Sequence, residues 1–483
     1  MPNIQPIRSK LSLEVLSPDQ VRAIQEASLH ILSDIGIQFP SERALDVFAE
    51  HGADVDRTSQ TVRMAPDFVM AAMRHAPRTY TLTGRAEGTD LVLDGTASYF
   101  CNDGCGVETV DWESGERRPS RKEDVAMMAR VADYLSSLSF YWPIVSSQDY
   151  GPLSPLHDLD ACFNNTVKHI QTETLLGHRF AEYAVRMAEV IAGSRERLRA
   201  RPCLSALVCT IAPLGQDKEG IEGAMVLAEA GIPVGFMAMP NMGGTAPATP
   251  GGALALANAE VVSAMVLMQL VAPGAPVFHS ILASVMDPRT ADYISGHPIK
   301  YLCNVSAVQL AHDWGVPTLA GAFGLDCADP ASWQLGRDSV YTALMVPLAG
   351  ADMVVAHGLL RASMLLVPEQ ILFDDEIYHS HRILVEGIDT SPEGLALDVM
   401  AEVGARGHFL AQKHTRKHMR ELWIPELTHP LPPADGSALP DIRERARARL
   451  DKILVGHHPD PLEPAAQKEL QAILRAAEGE IGH

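Results

Sequence analysis

Residues 203–283 read CLSALVCTIAPLGQDKEGIEGAMVLAEAGIPVGFMAMPNMGGTAPATPGGALALANAEVVSAMVLMQLVAPGAPVFHSILA. Three short apolar or β-branched runs stand in this stretch, at Cys203–Ile211, Pro233–Met239 and Pro276–Ala283. Between them lie two longer segments with helical patterning, Asp217–Ala230 and Gly252–Val271. Strands alternating with helices at this spacing mean βαβ units and a parallel sheet.

The rhythm extends in both directions. Upstream, strand-like runs occur at Ser98–Cys101, Phe140–Ser146 and Val167–Thr172; downstream, at Pro317–Ala322 and Asp352–His357. Helical patterns separate them at Arg121–Ser136, Leu159–Asn165, His178–Ile191, Tyr293–Trp314 and Asp338–Ala349, and Glu369–Arg382 follows the last run. Eight such repeats over about 250 residues predict a (β/α)8 TIM barrel. The alternative is an open doubly wound sheet, which should carry a glycine fingerprint after its first strand. The loop there, Asn102-Asp103-Gly104-Cys105-Gly106, lacks G-x-G-x-x-G.

Residues 1–90 read as an N-terminal helical cap with extended pieces. Its helices are expected at Pro18 to about Ser33, Pro40–Ala49 and Pro66–His75, with Ser17 as a cap. Residues 91–426 then form the barrel. Residues 427–483, with prolines at 430, 432, 433, 459, 461 and 464, form a C-terminal helical extension.

Composition bounds the function. Sixty acidic against 39 basic residues give a net charge of −21, which argues against nucleic acid or an anionic membrane surface as the main partner. The apolar stretch from Ala253 to Pro273 is interrupted by Asn258, Glu260 and Gln269, so a buried helix is expected rather than a membrane span. Seven scattered cysteines and no secretory signal point to reduced thiols and a cytoplasmic protein.

In a barrel of this kind the chemistry sits at the carboxyl ends of the strands. That rule nominates Asn102 and Asp103, Ser146 and Gln148, Gln171 and Glu173, Cys209 and Thr210, Asn241 and Met242, His279 and Ser280, Phe323 to Asp326, and His357. His279, inside VFHSIL, is expected as a hydrogen-bonded core residue. Aromatics near strand ends, Trp142, Phe323 and Trp333, can face a quaternary ammonium, whereas Phe140 and Tyr141 are expected in the core. No metal site is expected. The pair Cys101 and Cys105 lacks partner ligands, and the acidic run Asp374-Asp375-Glu376 reads as a capping or solvated face. The glycine-rich loop at 243–252 has no G-K-[ST] ending, and Thr249-Pro250 reads as a helix start.

Four further stretches sharpen this reading: GVPTLAGAFGLDCAD from Gly315, LAGADMVVAHGLL from Leu348, PEQILFDDEIYHSHR from Pro368, and SLHILSDIGIQFPSERALDVFAEHGADVD from Ser28. Together with GGTAPATPGGALALANAE from Gly243, they resemble, in chain order from about residue 11 to 425, the trimethylamine/quaternary-amine:corrinoid methyltransferase family. The resemblance implies a (β/α)8 barrel that passes a methyl group from an amine to the Co(I) of a corrinoid held by a separate small protein. The trimethylamine enzymes of the family carry pyrrolysine in the loop after strand seven. Here that loop, 324–333, holds only standard residues. The chain therefore resembles the members without pyrrolysine, of which glycine betaine methyltransferases are the best-known type.

A quaternary amine needs no activation at nitrogen, because its leaving group is already a neutral amine. The enzyme then supplies orientation, desolvation and a path to cobalt. On this reading Trp142, Phe323 and Trp333 cage the cationic head, and Asp103, Glu173 or Asp326 balances its charge. Gln171, Asn241, His357 and Arg361 are candidate donors to a betaine carboxylate, and His357 is also counted with the catalytic set. A corrinoid-binding D-x-H-x-x-G is absent, since Leu310-Ala311-His312-Asp313-Trp314-Gly315 has leucine in the aspartate position. The cobalt is thus expected on a partner protein, and a homo-oligomer is expected from the tail and cap. Two other classes remain open: a metal- or carboxylate-dependent barrel lyase or hydrolase, and a non-catalytic betaine-binding relative.

Overall fold

A computed structural model describes residues 4–173, 175, 177–433 and 436–481. All eight expected strand runs contain strands: β1 (Tyr99–Asn102), β2 (Phe140–Tyr141), β3 (His169–Thr172), β4 (Leu204–Ile211), β5 (Val234–Ala238), β6 (Val277–Ile281), β7 (Leu319–Gly321) and β8 (Met353–His357). A helix follows each: α1 (Lys122–Tyr134), α2 (Ser154–Asn165), α3 (His178–Ala192), α4 (Lys218–Ala230), α5 (Pro250–Val271), α6 (Pro298–Trp314), α7 (Trp333–Leu348) and α8 (Gln370–Glu386). The chain is an α/β protein built on parallel strands.

The strands pair in two parallel ladders. One runs β2–β3–β4–β5–β6, and the other β7–β8–β1. Regular pairing is interrupted between the ladders, but both seams are cross-linked. At one, His279 N donates to Pro317 O at 2.9 Å and Thr318 Oγ1 donates to His279 O at 3.0 Å. At the other, Ser139 N donates to Phe100 O at 2.7 Å. Pro143 has no N–H to offer, and β2 ends before it. The Asn102 side chain fills in there as a peptide unit would: its Nδ2 donates to Trp142 O, and its Oδ1 accepts from Trp142 N.

Alternation sorts the side chains into two cores. On the inner side Tyr99, Cys101, Phe140, Trp142, Leu207, Met237, Phe278, Leu319, Met353 and Val355 meet in one cluster. Leu82, Leu91 and Leu93 of a preceding hairpin join it. On the outer side Phe236, Ala238, Val277 and Ile281 pack against the helices. His279 belongs to this outer side, as expected of a core histidine. Its Nε2 meets Asn258 Oδ1 at 3.0 Å, and burial pushes its pKa down to about 3.

Helix α5 is the one described helix long and apolar enough to cross a membrane, and 89 % of its most apolar window is buried inside the fold. Its polar residues are all engaged: Asn258 with Gln25 and Ser28, Glu260 with Thr210 Oγ1 at 2.6 Å, and Gln269 with Ala275 O at 2.9 Å. Thr249 and Pro250 start it as expected, although the threonine side chain makes no capping bond.

The N-terminal helices lie where the sequence predicts, at Pro18–His30, Glu42–Glu50 and Pro66–Met73. Ser17 caps the first in a reciprocal box with Gln20. The C-terminal helices are Ile442–Gly456 and Pro464–Ile481. Glu376 pins the start of this extension by accepting from Leu427 N and Thr428 N at 2.8 and 3.0 Å. Between α8 and the extension runs an excursion the sequence reading did not resolve. It holds three helices, Pro392–Leu395, Leu397–Val403 and Lys413–Glu421, none of which contains a buried residue.

Candidate functional site

A cavity of about 420 Å³ lies at the carboxyl ends of the strands. Loops after β1, β2, β3, β5, β6, β7 and β8 line it. Its floor is apolar and its rim carries Met239 and Met364, both exposed.

Asp103 anchors one wall. Its Oδ1 accepts from Gly104 N at 2.9 Å, and its Oδ2 accepts from Gly324 N at 3.2 Å and from Ser363 Oγ at 2.5 Å. One carboxylate thereby joins the loops after β1, β7 and β8. Burial raises its pKa, against the pull of these three donors and the Lys300 ammonium. Glu173 stands on the wall after β3 and accepts from the Cys209 thiol at 2.8 Å. Burial raises this carboxyl as well.

Aromatic rings complete the site. Trp142 and Phe323 meet edge to face, with centroids 6.2 Å apart and planes at 72°. The indole is accommodated because residue 104 is glycine. A Cβ there would come within 2.3 Å of Trp142 Nε1. Tyr293 closes the side of β6–β7 by donating to Gly324 O at 2.6 Å. Behind it the buried Lys300 ammonium donates to Phe323 O at 2.7 Å and to Tyr293 Oη at 3.3 Å. Burial pulls this lysine down to about 8, with Asp103, Asp326 and Asp338 opposing the shift.

Of the ten residues given a binding or catalytic role, Asp103, Trp142, Glu173, Asn241 and Phe323 line the cavity together. The other five lie elsewhere. Asp326 sits just behind the wall and accepts from Ser295 N at 3.0 Å and Gln334 Nε2 at 2.6 Å. His357 points to the helix side, because the β8–β1 register shifts between Val355 and His357. Its ring packs against Phe100 and Tyr378 at 6.5 and 6.3 Å. Gln171 is fully buried away from the cavity, with both amide atoms unpartnered. Trp333 begins α7 instead of lying in the loop before it, and is 85 % exposed. Arg361 is exposed, and only its backbone is tied inward, to Cys327 O at 2.8 Å. Asn102, at a strand end like the others, is the staple of the β1–β2 seam.

The sequence reading missed Gly104, Tyr293, Lys300 and the segment Ala362–Met364. Arg361, Ala362 and Ser363 hold three consecutive left-handed backbones, with φ of 53°, 55° and 63°. Glycine ordinarily marks such a turn, and none is present here, so no local signal announced it. Tyr293 lies in a two-residue strand before α6, where helical patterning had been extended too far. Among the described residues, no three His, Cys, Asp or Glu side chains gather as a metal-ligating group.

The sequence model of a family described as "Trimethylamine methyltransferase (MTTB)" matches residues 2–482. A trimethylamine methyltransferase of Desulfitobacterium hafniense is 31 % identical over 480 residues, covering 96 % of this chain and 94 % of the relative. A glycine betaine methyltransferase of another strain of that species is 30 % identical over 486 residues, covering 97 % and 98 %. The crystal structure of the Methanosarcina barkeri monomethylamine methyltransferase aligns with a TM-score of 0.49 at 11 % identity, covering 90 % of this chain and 92 % of that one.

Proposed function

The chain belongs to the trimethylamine methyltransferase (MTTB) family and is a methyltransferase of methylated amines, and from that premise we propose that it moves a methyl group from a quaternary amine, glycine betaine or a similar compound, to the Co(I) of a corrinoid carried by a separate protein. The eight parallel strands are read as a closed (β/α)8 barrel. The hydrogen bonds across both seams and the inner and outer alternation of side chains support this. Residues 1–90 act as its cap, 91–426 as the catalytic body and 427–483 as the extension.

The observation that carries the function is the pairing of an edge-to-face Trp142–Phe323 corner with two carboxylates, Asp103 and Glu173, in one apolar cavity at the strand ends. Aromatic faces attract a quaternary ammonium by about 0.5–2 kcal/mol each, more strongly when water is excluded. The carboxylates neutralise the cation, so it enters a dry cavity without remaining uncompensated. Orientation is then the principal task. The methyl carbon leaves nitrogen and bonds to cobalt, and the electron pair of the broken C–N bond stays on the amine, which departs neutral. No proton transfer at nitrogen is required, so Asp103 and Glu173 serve as ionised counter-charges and not as acids; burial raises both carboxyls, and a bound cation offsets that shift.

The corrinoid is assigned to a partner because the one string resembling its binding motif is used structurally. His312 of that string lies on α6 and its Nε2 meets Asp352 at 3.4 Å. Seven free cysteines support a cytoplasmic setting. Mixing the full chain with a quaternary amine and Co(I)-cobalamin, free or on a corrinoid protein, should convert the Co(I) absorption spectrum to that of methylcobalamin. A spectrum unchanged over a panel of quaternary amines would sink this reading.

A homo-oligomer is part of the same reading, supported by the excursion at 387–425. It exposes Ile388, Leu397, Met400, Leu410 and Met419, which a solitary chain leaves in water. Its stretch from Gly404 to Arg420 carries five lysines and arginines and no acid, in a chain whose net charge is −21. A second, acidic copy is the partner that complements it. Light scattering should give a multiple of 52.2 kDa. Leu410→Glu with Met419→Glu should lower it to one chain, and an unaltered mass would refute the assignment.

A further inference from the structure

Most donors around the cavity are already committed. Ser363 Oγ donates to Asp103, Ser284 Oγ to Asn241 Oδ1 at 3.2 Å, and Tyr293 Oη to Gly324 O. The Gly104 and Gly324 amides serve Asp103, and the Cys209 thiol serves Glu173. Trp142 Nε1 is buried beside Gly104 without a hydrogen-bond partner. Lys300, a buried cation behind the wall, spends its ammonium on Phe323 O and Tyr293 Oη. Among the described lining residues there is no Arg, Lys or His, and Asn241 Nδ2 is the one uncommitted side-chain amide. Against this stand two lining carboxylates.

Resting on the methyl-transfer reading above, we propose that this site ranks quaternary monocations with an uncharged tail, the choline and tetraalkylammonium class, ahead of carboxylate-bearing zwitterions. A monocation neutralises one of the two carboxylates and leaves its tail to Met237, Leu282 and the methionine rim. A zwitterion brings its own carboxylate into the same low-dielectric space, a few ångströms from Asp103 or Glu173. Like charges repel there, and a buried carboxylate needs charged or multiple donors to offset its lost hydration. One neutral amide and one indole N–H do not supply them. Cavity size does not decide the matter, since 420 Å³ accommodates either class.

The test is titration calorimetry of the full chain with choline, tetramethylammonium and glycine betaine, run alongside methyl transfer to Co(I)-cobalamin. Choline or tetramethylammonium should bind about tenfold or more tightly than glycine betaine. Asn241→Arg should narrow or invert that ratio, because it adds the missing cation. Glu173→Gln should weaken the monocations while changing glycine betaine little. Equal affinities, tighter glycine betaine, or no binding of any of the three would overturn the ranking. Methyl transfer from glycine betaine alongside equal affinities would overturn the ranking and leave the methyltransferase reading intact. Tight choline binding with no transfer from any donor would do the reverse.

Discussion

Asp103→Asn is expected to lower kcat/KM for methyl transfer by about a hundredfold while the protein stays folded. The aspartate accepts from three donors, two backbone amides and the Ser363 hydroxyl. An asparagine offers only one oxygen. Its NH₂ must face one of those donors, leaving two hydrogens opposed in a buried site at about 1–3 kcal/mol. The counter-charge for the cation vanishes as well. Together these approach about 3 kcal/mol, and each 1.36 kcal/mol is a factor of ten in rate. Steady-state kinetics beside a circular dichroism spectrum decide the case. Ser363→Ala removes only one of the three donors and should cost less. A fully active asparagine variant would mean that Asp103 neither holds the rim nor pairs with substrate.

The second large effect is on stability. Gly321→Ala is expected to cost about 3 kcal/mol or more and to lower the thermal midpoint by about 3 °C or more. Gly321 has φ of 140°, where an L side chain is strained, and a Cβ would stand 2.1 Å from Val355 O. That oxygen belongs to the backbone of β8, paired in register with Gly321, and also accepts from Ala322 N at 2.6 Å. The wall cannot yield there without opening the β7–β8 ladder. Gly251→Ala is the control. It lies in the first turn of α5 with nothing within 4 Å of its Cβ, so alanine should leave the midpoint unchanged or raise it slightly. Equal midpoints for the two variants, read by differential scanning fluorimetry, would refute the argument.

How far these features could be read in advance differs by level. The strands and helices were legible because each buried run is short, β-branched or apolar, and each helix between them is long enough to cross back. The run Phe140–Ser146 overstates the second strand, since it continues apolar through Ile144 and Val145 after its backbone has ceased to pair with β3. The helices at 392–421 were invisible to a method that looks for a buried face, because they have none in the single chain. For the site, proximity to a strand end found Asp103, Trp142, Glu173, Asn241 and Phe323. Proximity cannot say which way a side chain points, and one register shift turned His357 to the helix side. Ser363 and Tyr293 were beyond reach. Their positions depend on a left-handed turn without glycine and on a two-residue strand, neither of which composition encodes.

The triple acceptance at Asp103 ties occupancy to motion. Any cation that shares this carboxylate loosens its grip on Ser363 and Gly324, and any force that lifts those segments leaves the charge hungrier for a cation. By reciprocity the two events carry the same coupling free energy. Occupancy of the cavity and slackening of the segments at Gly324 and Ser363 are therefore coupled, so a substitution that shifts one shifts the other.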